Sequence, residues 1–120
     1  PLILIVEDNI VNQKIGRKLL EKLGYRSMIA DNGKQALILL EAHRQDISLI
    51  LMDCRMPVMD GLEATLAIRS SGDNITIVAL TANDSIEDRL LCQQVGMDEF
   101  LTKPVQKDKL QQVLKQYIDD

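Results

Sequence analysis

Five polar residues stand at or next to the ends of short apolar runs in this sequence: Glu7, Asp8, Asp53, Thr81 and Lys103. Three carboxylates in one cleft would repel one another, which favours a bound cation. A ligand set made of oxygens alone favours a hard ion, most simply Mg²⁺. A lysine and a hydroxyl beside a carboxylate and such an ion are what phosphoryl transfer to a carboxylate needs, because they neutralise charge on the phosphoryl oxygens. This chemistry requires that all five side chains reach one place.

Asp53 is the candidate nucleophile, since it ends the apolar run 49–52. A lone carboxylate inside a strand would be costly to bury, so we expect Asp53 at the exposed C-terminal tip of its strand. The single histidine, His43, lies away from every expected strand tip, and no serine or cysteine has a base beside it. Acyl transfer and acid–base hydrolysis are therefore poorly supported.

The elements that would position these residues alternate between strands and helices. The continuous apolar run at 2–6 predicts a strand that is buried on both faces. Four further strands are predicted at 25–30, 48–53, 75–80 and 99–101. Helical spacing of apolar residues predicts five helices, one after each strand, over 10–23, about 34–44, 62–71, 85–95 and the stretch around 110–118. The pattern therefore indicates five strand–helix units.

The first helix carries Val11, Ile15, Leu19 and Leu23 at four-residue spacing. This stripe predicts the face that packs on the sheet. Ile10 lies well off the stripe, so we expect it to be exposed beside the tip of the first strand.

Five strands that are each followed by a helix predict an α/β domain with a parallel sheet. Right-handed crossovers with helices on both faces give a doubly wound layout. In such sheets the functional site lies at the carboxyl ends of the strands, near the point where the strand order reverses. That rule predicts that the five polar residues meet at one edge.

Composition narrows the class of protein further. With 120 residues the chain fits one domain, and its first residue, Pro1, suggests that residues 1–120 are cut from a longer protein. The net charge of −4 gives no basic surface for nucleic acid, and no apolar run has the length of a membrane span. Cys54 and Cys92 form neither a disulfide framework nor a metal-binding spacing, so we interpret them as small buried apolar residues in a reducing, cytoplasmic setting.

Four motifs of this chain resemble those of the response-regulator receiver domain, and together they extend over essentially the whole sequence. They are Val6-Glu7-Asp8-Asn9, Met52-Asp53 with Met56-Pro57-Val58-Met59-Asp60-Gly61, Leu80-Thr81-Ala82, and Leu101-Thr102-Lys103-Pro104. The resemblance implies a flavodoxin-like (βα)5 three-layer sandwich whose five parallel strands have the order 2-1-3-4-5. It also implies a phosphorelay function, in which phosphohistidine donates a phosphoryl group to an aspartate and slow hydrolysis follows.

The resemblance assigns roles to individual residues. Asp53 would be the phosphoacceptor, with Thr81 and Lys103 on the phosphoryl group. Mg²⁺, with Mn²⁺ as an expected substitute, would be held by Glu7, Asp8, Asp53 and the backbone carbonyl of Arg55. On this view the domain is a phosphoacceptor and not an enzyme, while the full-length protein is left open, with a histidine kinase as one expectation.

Further positions follow from the same resemblance. Thr81 and Phe100 would form the conformational switch, and the Lys103–Pro104 peptide bond would be cis. Arg55 and Asn83 occupy positions that tune hydrolysis of the phosphoryl group in this family. Independently of the resemblance, Ile10 is our candidate for partner docking, because an exposed apolar residue lies next to the site.

The residues within these motifs are similar to those in the receivers of hybrid sensor histidine kinases. The expected partner is therefore a histidine kinase or a histidine-phosphotransfer domain, with no direct contact to nucleic acid or membrane. We expect a monomer or a weak dimer in the cytoplasm, and leave open a parent protein anchored in the inner membrane.

Three alternatives remain open from the sequence. The first is a free-standing or transcription-factor-linked response regulator. The second is a flavin-type small-molecule binding domain, although Glu7 and Asp8 would repel a flavin phosphate. The third is a phosphohydrolase with an aspartyl nucleophile, which commonly has a second acid where this chain has Arg55.

Overall fold

The computed structural model describes residues 1–56, 58–82 and 85–118. Its elements, in chain order, are β1 (Leu2–Val6), α1 (Ile10–Lys22), β2 (Arg26–Ala30), α2 (Gly33–His43), β3 (Ile47–Asp53), α3 (Gly61–Ser70), β4 (Thr76–Thr81), α4 (Ile86–Val95), β5 (Glu99–Thr102) and α5 (Lys107–Ile118). All five expected strand–helix units form, and the strand ends lie within one residue of the prediction.

All strand pairs are parallel, and the order across the sheet is β2-β1-β3-β4-β5. This confirms the predicted fold class and strand order. The reversal of strand order lies between β1 and β3, so the ends of these two strands meet at the point where such sheets place their sites.

Strand β1, which lies inside the sheet between β2 and β3, explains the three-layer packing. Side chains alternate along a strand, so Ile3 and Ile5 join the apolar cluster under α1 and α5, while Leu4 and Val6 join the cluster under α2, α3 and α4. All four are 2% exposed or less, and each contributes about 1.5–3 kcal/mol through burial. Two-sided burial is what the unbroken apolar run predicts.

The predicted packing face of α1 is partly wrong. Val11 and Ile15 are 63% and 51% exposed, and the residues that α1 buries are Gln13 and Leu20. A four-residue step overshoots a helical turn by about 40°, so a stripe with this spacing rotates around the helix. Only the C-terminal part of the stripe faces the sheet, where Leu19 packs against the apolar cluster under α1 and α5.

Four helices that begin at the carboxyl edge of the sheet have side-chain caps. Asn9, Asn32, Asp60 and Ser85 each accept a hydrogen bond from the backbone N–H three residues later. Each cap satisfies an N–H group that the helix itself leaves unpaired, and such caps contribute about 1 kcal/mol. The first turn of each of these four helices is thereby stabilised.

Among the described residues, none of the helices combines the length and apolar character needed to cross a bilayer.

Candidate functional site

Asp53 is the last residue of β3 and is only 5% exposed. Its Oδ2 accepts a hydrogen bond from Lys103 Nζ at 3.0 Å, and its Oδ1 accepts one from the backbone N–H of Arg55 at 3.2 Å. The expected position at the strand tip is confirmed, but the expected exposure is wrong. The carboxylate tolerates burial because a cation and an N–H group replace the water it has lost.

Lys103 directly follows β5 and links two strand tips. Its Nζ donates to Glu7 Oε1 at 2.9 Å as well as to Asp53, and its backbone N–H donates to the carbonyl of Thr81 at 2.7 Å. The peptide bond to Pro104 is cis, the isomer that the resemblance implies.

The charge of Lys103 is stabilised by its surroundings. Burial of the ammonium group is the largest single influence and lowers its pKa. The hydrogen bonds and negative charges of Glu7 and Asp53 together outweigh burial, so the pKa of Lys103 is raised above its ordinary value. Lys103 therefore remains a cation at neutral pH.

The two acids after β1 differ in exposure. Glu7 is 2% exposed, and its Oε2 accepts a hydrogen bond from the backbone N–H of Asn9 at 3.1 Å, whereas Asp8 is exposed. One oxygen from each of Glu7, Asp8 and Asp53 lies within 4.8 Å of the others. Lys103 balances only part of three negative charges, and a set of carboxylate oxygens suits a hard divalent cation. The residues present therefore fit Mg²⁺ or Mn²⁺.

Thr81 is the last residue of β4 and is buried. It pairs with Thr102 across β4 and β5, and it lines a cavity of about 280 Å³ together with Arg55 and Ala82. The structure thus brings Glu7, Asp8, Asp53, Thr81 and Lys103 to the same edge of the sheet, as the strand-tip pattern predicts.

The remaining expected residues lie around this centre. The half-buried Phe100 of β5 has the guanidinium of Arg89 over its ring, 4.0 Å from the centroid. Ile10 is 64% exposed, which confirms its expected exposure. Metal binding by the carbonyl of Arg55 stays a prediction, and Asn83 lies outside the described residues.

Sequence reasoning missed two residues that shape the site. The buried Gln13 amide donates to the carbonyl of Glu7 at 2.6 Å and to Asp31 Oδ1 at 2.9 Å. Gly61 lies so close to β3 that an added Cβ would collide with the carbonyl oxygen of Asp53. Gln13 lies seven positions, or about two helical turns, before the buried Leu20, so the two residues lie on the same face of α1. This spacing was the signal in the sequence that Gln13 faces inward.

Cys54 and Cys92 are both free and buried, which confirms their interpretation as buried residues. Burial raises the pKa of the Cys54 thiol far above its usual range, and the neighbouring Cys92 raises it further. Cys54 is therefore a neutral thiol at physiological pH.

The sequence matches a family described as the response regulator receiver domain over residues 3–115. Among curated proteins, the hybrid signal transduction protein dokA of Dictyostelium discoideum is 45% identical over 119 residues. That match covers 97% of this chain but 7% of dokA, so the chain spans a small fraction of this relative.

Solved structures share both sequence and fold with the chain. The receiver domain of the sensor histidine kinase PA1611 from Pseudomonas aeruginosa, with a magnesium ion coordinated in its active site cleft, is 45% identical with a TM-score of 0.87; the match covers 99% of this chain and 98% of that one. The Saccharomyces cerevisiae complex of the histidine phosphotransfer protein Ypd1 with the receiver domain of Ssk1 contains a chain that is 33% identical with a TM-score of 0.88; here the match covers 97% of this chain and 87% of that one.

Proposed function

This chain belongs to the response regulator receiver domain family, and we propose that Asp53 is the residue on which it accepts a phosphoryl group from a phosphohistidine. The observation that carries the proposal is the bridge that Lys103 makes between Asp53 and Glu7, with Asp8 within reach of the same ion. A nucleophile, a fixed cation and a set of metal ligands thereby come from three separate strand ends.

The proposed reaction replaces one bond to phosphorus by another. A carboxylate oxygen of Asp53 attacks the phosphorus while the bond to the histidine nitrogen breaks, so a P–O bond replaces a P–N bond. The N–H of Arg55 and the ammonium of Lys103 hold the carboxylate in position, and Lys103 is close enough to turn toward an incoming phosphoryl oxygen. The hydroxyl of Thr81 is proposed as a second donor to that group.

We propose Mg²⁺, with Mn²⁺ as a substitute, as the ion held by Glu7, Asp8, Asp53 and the Arg55 carbonyl. When bound, the ion would neutralise charge on the phosphoryl oxygens and so favour attack by an anion. The magnesium in the similar PA1611 structure and the oxygen-only donor set both support this assignment.

The site favours a phosphoacceptor with slow hydrolysis over a phosphohydrolase. The single histidine, His43, lines a cavity with Leu2 and Arg26 at the opposite edge of the sheet, so it is remote from any water that would attack the acyl phosphate. The residue two positions after Asp53 is Arg55, whose exposed side chain is a cation and not the second acid of a hydrolase. We therefore propose that the domain itself has no rapid turnover.

Intact-mass spectrometry tests this function. Incubation with acetyl phosphate and Mg²⁺ is expected to add one phosphoryl group to the native chain, and EDTA or the substitution Asp53→Asn is expected to prevent the addition. Continuous release of phosphate at a rate that matches consumption of the donor would favour the hydrolase instead, and a protein that neither gains mass nor turns over the donor would refute both.

Phosphorylation is also proposed to switch the surface formed by α4 and β5. The modification adds nearly two negative charges and three acceptor oxygens beside Thr81. Movement of Thr81 toward them would open space for Phe100 to turn inward, and the ring would then leave the guanidinium of Arg89.

The proposed partner is a histidine-phosphotransfer domain or a histidine kinase, and the proposed docking surface is the exposed apolar face of α1. Ile10, Val11 and Ile15 are 64%, 63% and 51% exposed, and Ile10 opens the helix that follows Glu7 and Asp8. The solved complex of Ypd1 with the Ssk1 receiver supports a partner of this class. We further propose that the chain is part of a hybrid histidine kinase and lies in the cytoplasm.

A matched pair of substitutions tests the docking surface. Ile10→Asp is expected to slow transfer from a phosphorylated histidine-phosphotransfer domain at least roughly tenfold, because a buried interface charge lacks a partner. Ile38→Asp, on the remote helix α2 and 60% exposed, is the control and should leave the rate unchanged. Both variants should still react with acetyl phosphate, and equal transfer rates for the two would refute the assignment.

A further inference from the structure

Cys54 and Cys92 are 38 positions apart in the chain, yet their Sγ atoms lie 3.7 Å apart. Cys54 directly follows β3 and the phosphoacceptor, and Cys92 lies in the second turn of α4. Both side chains are buried, and the proposed phosphoryl chemistry uses neither sulfur. Two thiols in van der Waals contact need to approach by less than 2 Å to reach the S–S bond length of about 2.05 Å.

A small reagent has a path to the two sulfurs. Both cysteines line the cavity of about 280 Å³ that Thr81, Arg55 and Leu91 also line. This volume admits several water-sized molecules, and the lining includes the exposed residues Arg55, Ala82 and Leu91, so the cavity reaches the surface. The cavity therefore links the two cysteines with the surface, and Thr81 in its lining places it next to the proposed phosphoacceptor site.

The position of Cys92 also gives a bond between the sulfurs a structural effect. Cys92 is the only fully buried residue of α4, all ten of whose residues are described. The helix exposes Ile86, Leu90 and Leu91. A covalent link at Cys92 would therefore fasten α4 through its buried residue, beside the partly buried Val95 that also packs on the core.

We propose that Cys54 and Cys92 form a reversible disulfide with hydrogen peroxide as oxidant, and that this bond fixes α4 to the end of β3. One thiol attacks the peroxide, its O–O bond breaks, and a sulfenic acid and a water molecule result. The second sulfur then attacks the sulfenic sulfur, the S–O bond breaks, and a second water molecule leaves. Two thiols and one peroxide thus give one disulfide and two water molecules. Since both thiols are buried, the reaction is slow relative to that of an exposed thiolate.

The consequence for signalling rests on the proposed function, because it concerns the switch that phosphorylation of Asp53 is proposed to cause at the surface formed by α4 and β5, and we propose that α4 itself shifts in this switch. With the bond in place, Thr81 can still approach a phosphoryl group, but α4 cannot move away from β3. The oxidised domain therefore accepts the phosphoryl group and loses the change at α4.

Intact mass and peptide mapping test the disulfide without any phosphodonor, so its failure is distinguishable from failure of the proposed function. Peroxide treatment of the native chain should remove two hydrogen atoms and yield a crosslinked peptide pair containing Cys54 and Cys92, with both changes reversed by dithiothreitol. Cys92→Ser should show no such loss. If the Cys92→Ser variant folds poorly, the free thiols of the peroxide-treated native chain can be counted instead by labelling under denaturing conditions, and a disulfide leaves none.

The bridged form should also melt at a temperature higher by roughly 10 °C, because the bond closes a long loop in the unfolded chain. Hydrogen exchange in α4 should respond to acetyl phosphate in the reduced protein and not in the oxidised one. Persistence of two free thiols under peroxide, or their separate oxidation to sulfinic acids, would overturn the disulfide. Equal exchange responses of the two forms would overturn its effect on α4.

Discussion

Replacement of Lys103 by methionine should convert an ion-paired site into one with uncompensated negative charge. Lys103 Nζ lies 2.9 Å from Glu7 Oε1 and 3.0 Å from Asp53 Oδ2, and at an effective dielectric constant of about 20 each contact contributes about 5–6 kcal/mol of attraction. Desolvation of the three groups offsets most of this attraction. Removal of one partner from a buried pair typically costs about 3–5 kcal/mol. Since the Lys103 side chain is 25% exposed, we expect Lys103→Met to lower the free energy of unfolding by about 3 kcal/mol, the lower end of this range.

Urea unfolding in EDTA measures this loss directly. Lys109→Met, which removes an exposed lysine from α5, is the matched control and should change the free energy of unfolding by less than about 0.5 kcal/mol. Addition of Mg²⁺ should stabilise the Lys103 variant more than the native chain, because the ion no longer competes with an ammonium group for Glu7 and Asp53. A variant as stable as the native chain in EDTA, or one that does not respond to Mg²⁺, would refute the reasoning.

Three further predictions follow from single contacts. The pKa of Lys103 is raised in the folded protein, so its charge stabilises the fold fully at pH values below 10.5, the ordinary pKa of lysine. The free energy of unfolding should therefore fall as the pH rises above 10.5, and it should fall less in the Lys103→Met variant. Gly61→Ala should destabilise the domain by about 2 kcal/mol in thermal unfolding, since its Cβ would collide with β3, whereas Gly16→Ala in α1 should stabilise it by about 0.5–1 kcal/mol. Gln13→Leu leaves the carbonyl of Glu7 and the carboxylate of Asp31 without the amide that donates to both, and it should lower the free energy of unfolding in urea by about 1–3 kcal/mol. An unchanged urea midpoint would contradict the role of the Gln13 amide.

The fold was predictable because its main determinants are local. Five short strand patterns that are each followed by a helical pattern are enough to predict a parallel sheet, and the rule for doubly wound sheets then predicts where the strand ends meet. For this reason Glu7, Asp53, Thr81 and Lys103 could be placed at one edge before any contact was known. The order of the strands came from resemblance and not from periodicity.

The parts that could not be predicted depend on contacts between distant segments. The burial of Asp53 depends in large part on the cation that Lys103 supplies from 50 positions later, and no local pattern contains that pairing. Rotation of the apolar stripe around α1 left Val11 and Ile15 exposed, an outcome that requires the orientation of the helix on the sheet. The contact between Cys54 and Cys92 likewise exists only after α4 has packed.

Identification of the modified residue tests the central claim most directly. Treatment of the phosphorylated domain with borohydride reduces an aspartyl phosphate to homoserine, and sequencing of the peptides by mass spectrometry then locates the altered residue. We predict homoserine at Asp53 and at no other position. Homoserine at Asp8 or Asp60 with Asp53 unchanged would contradict the account.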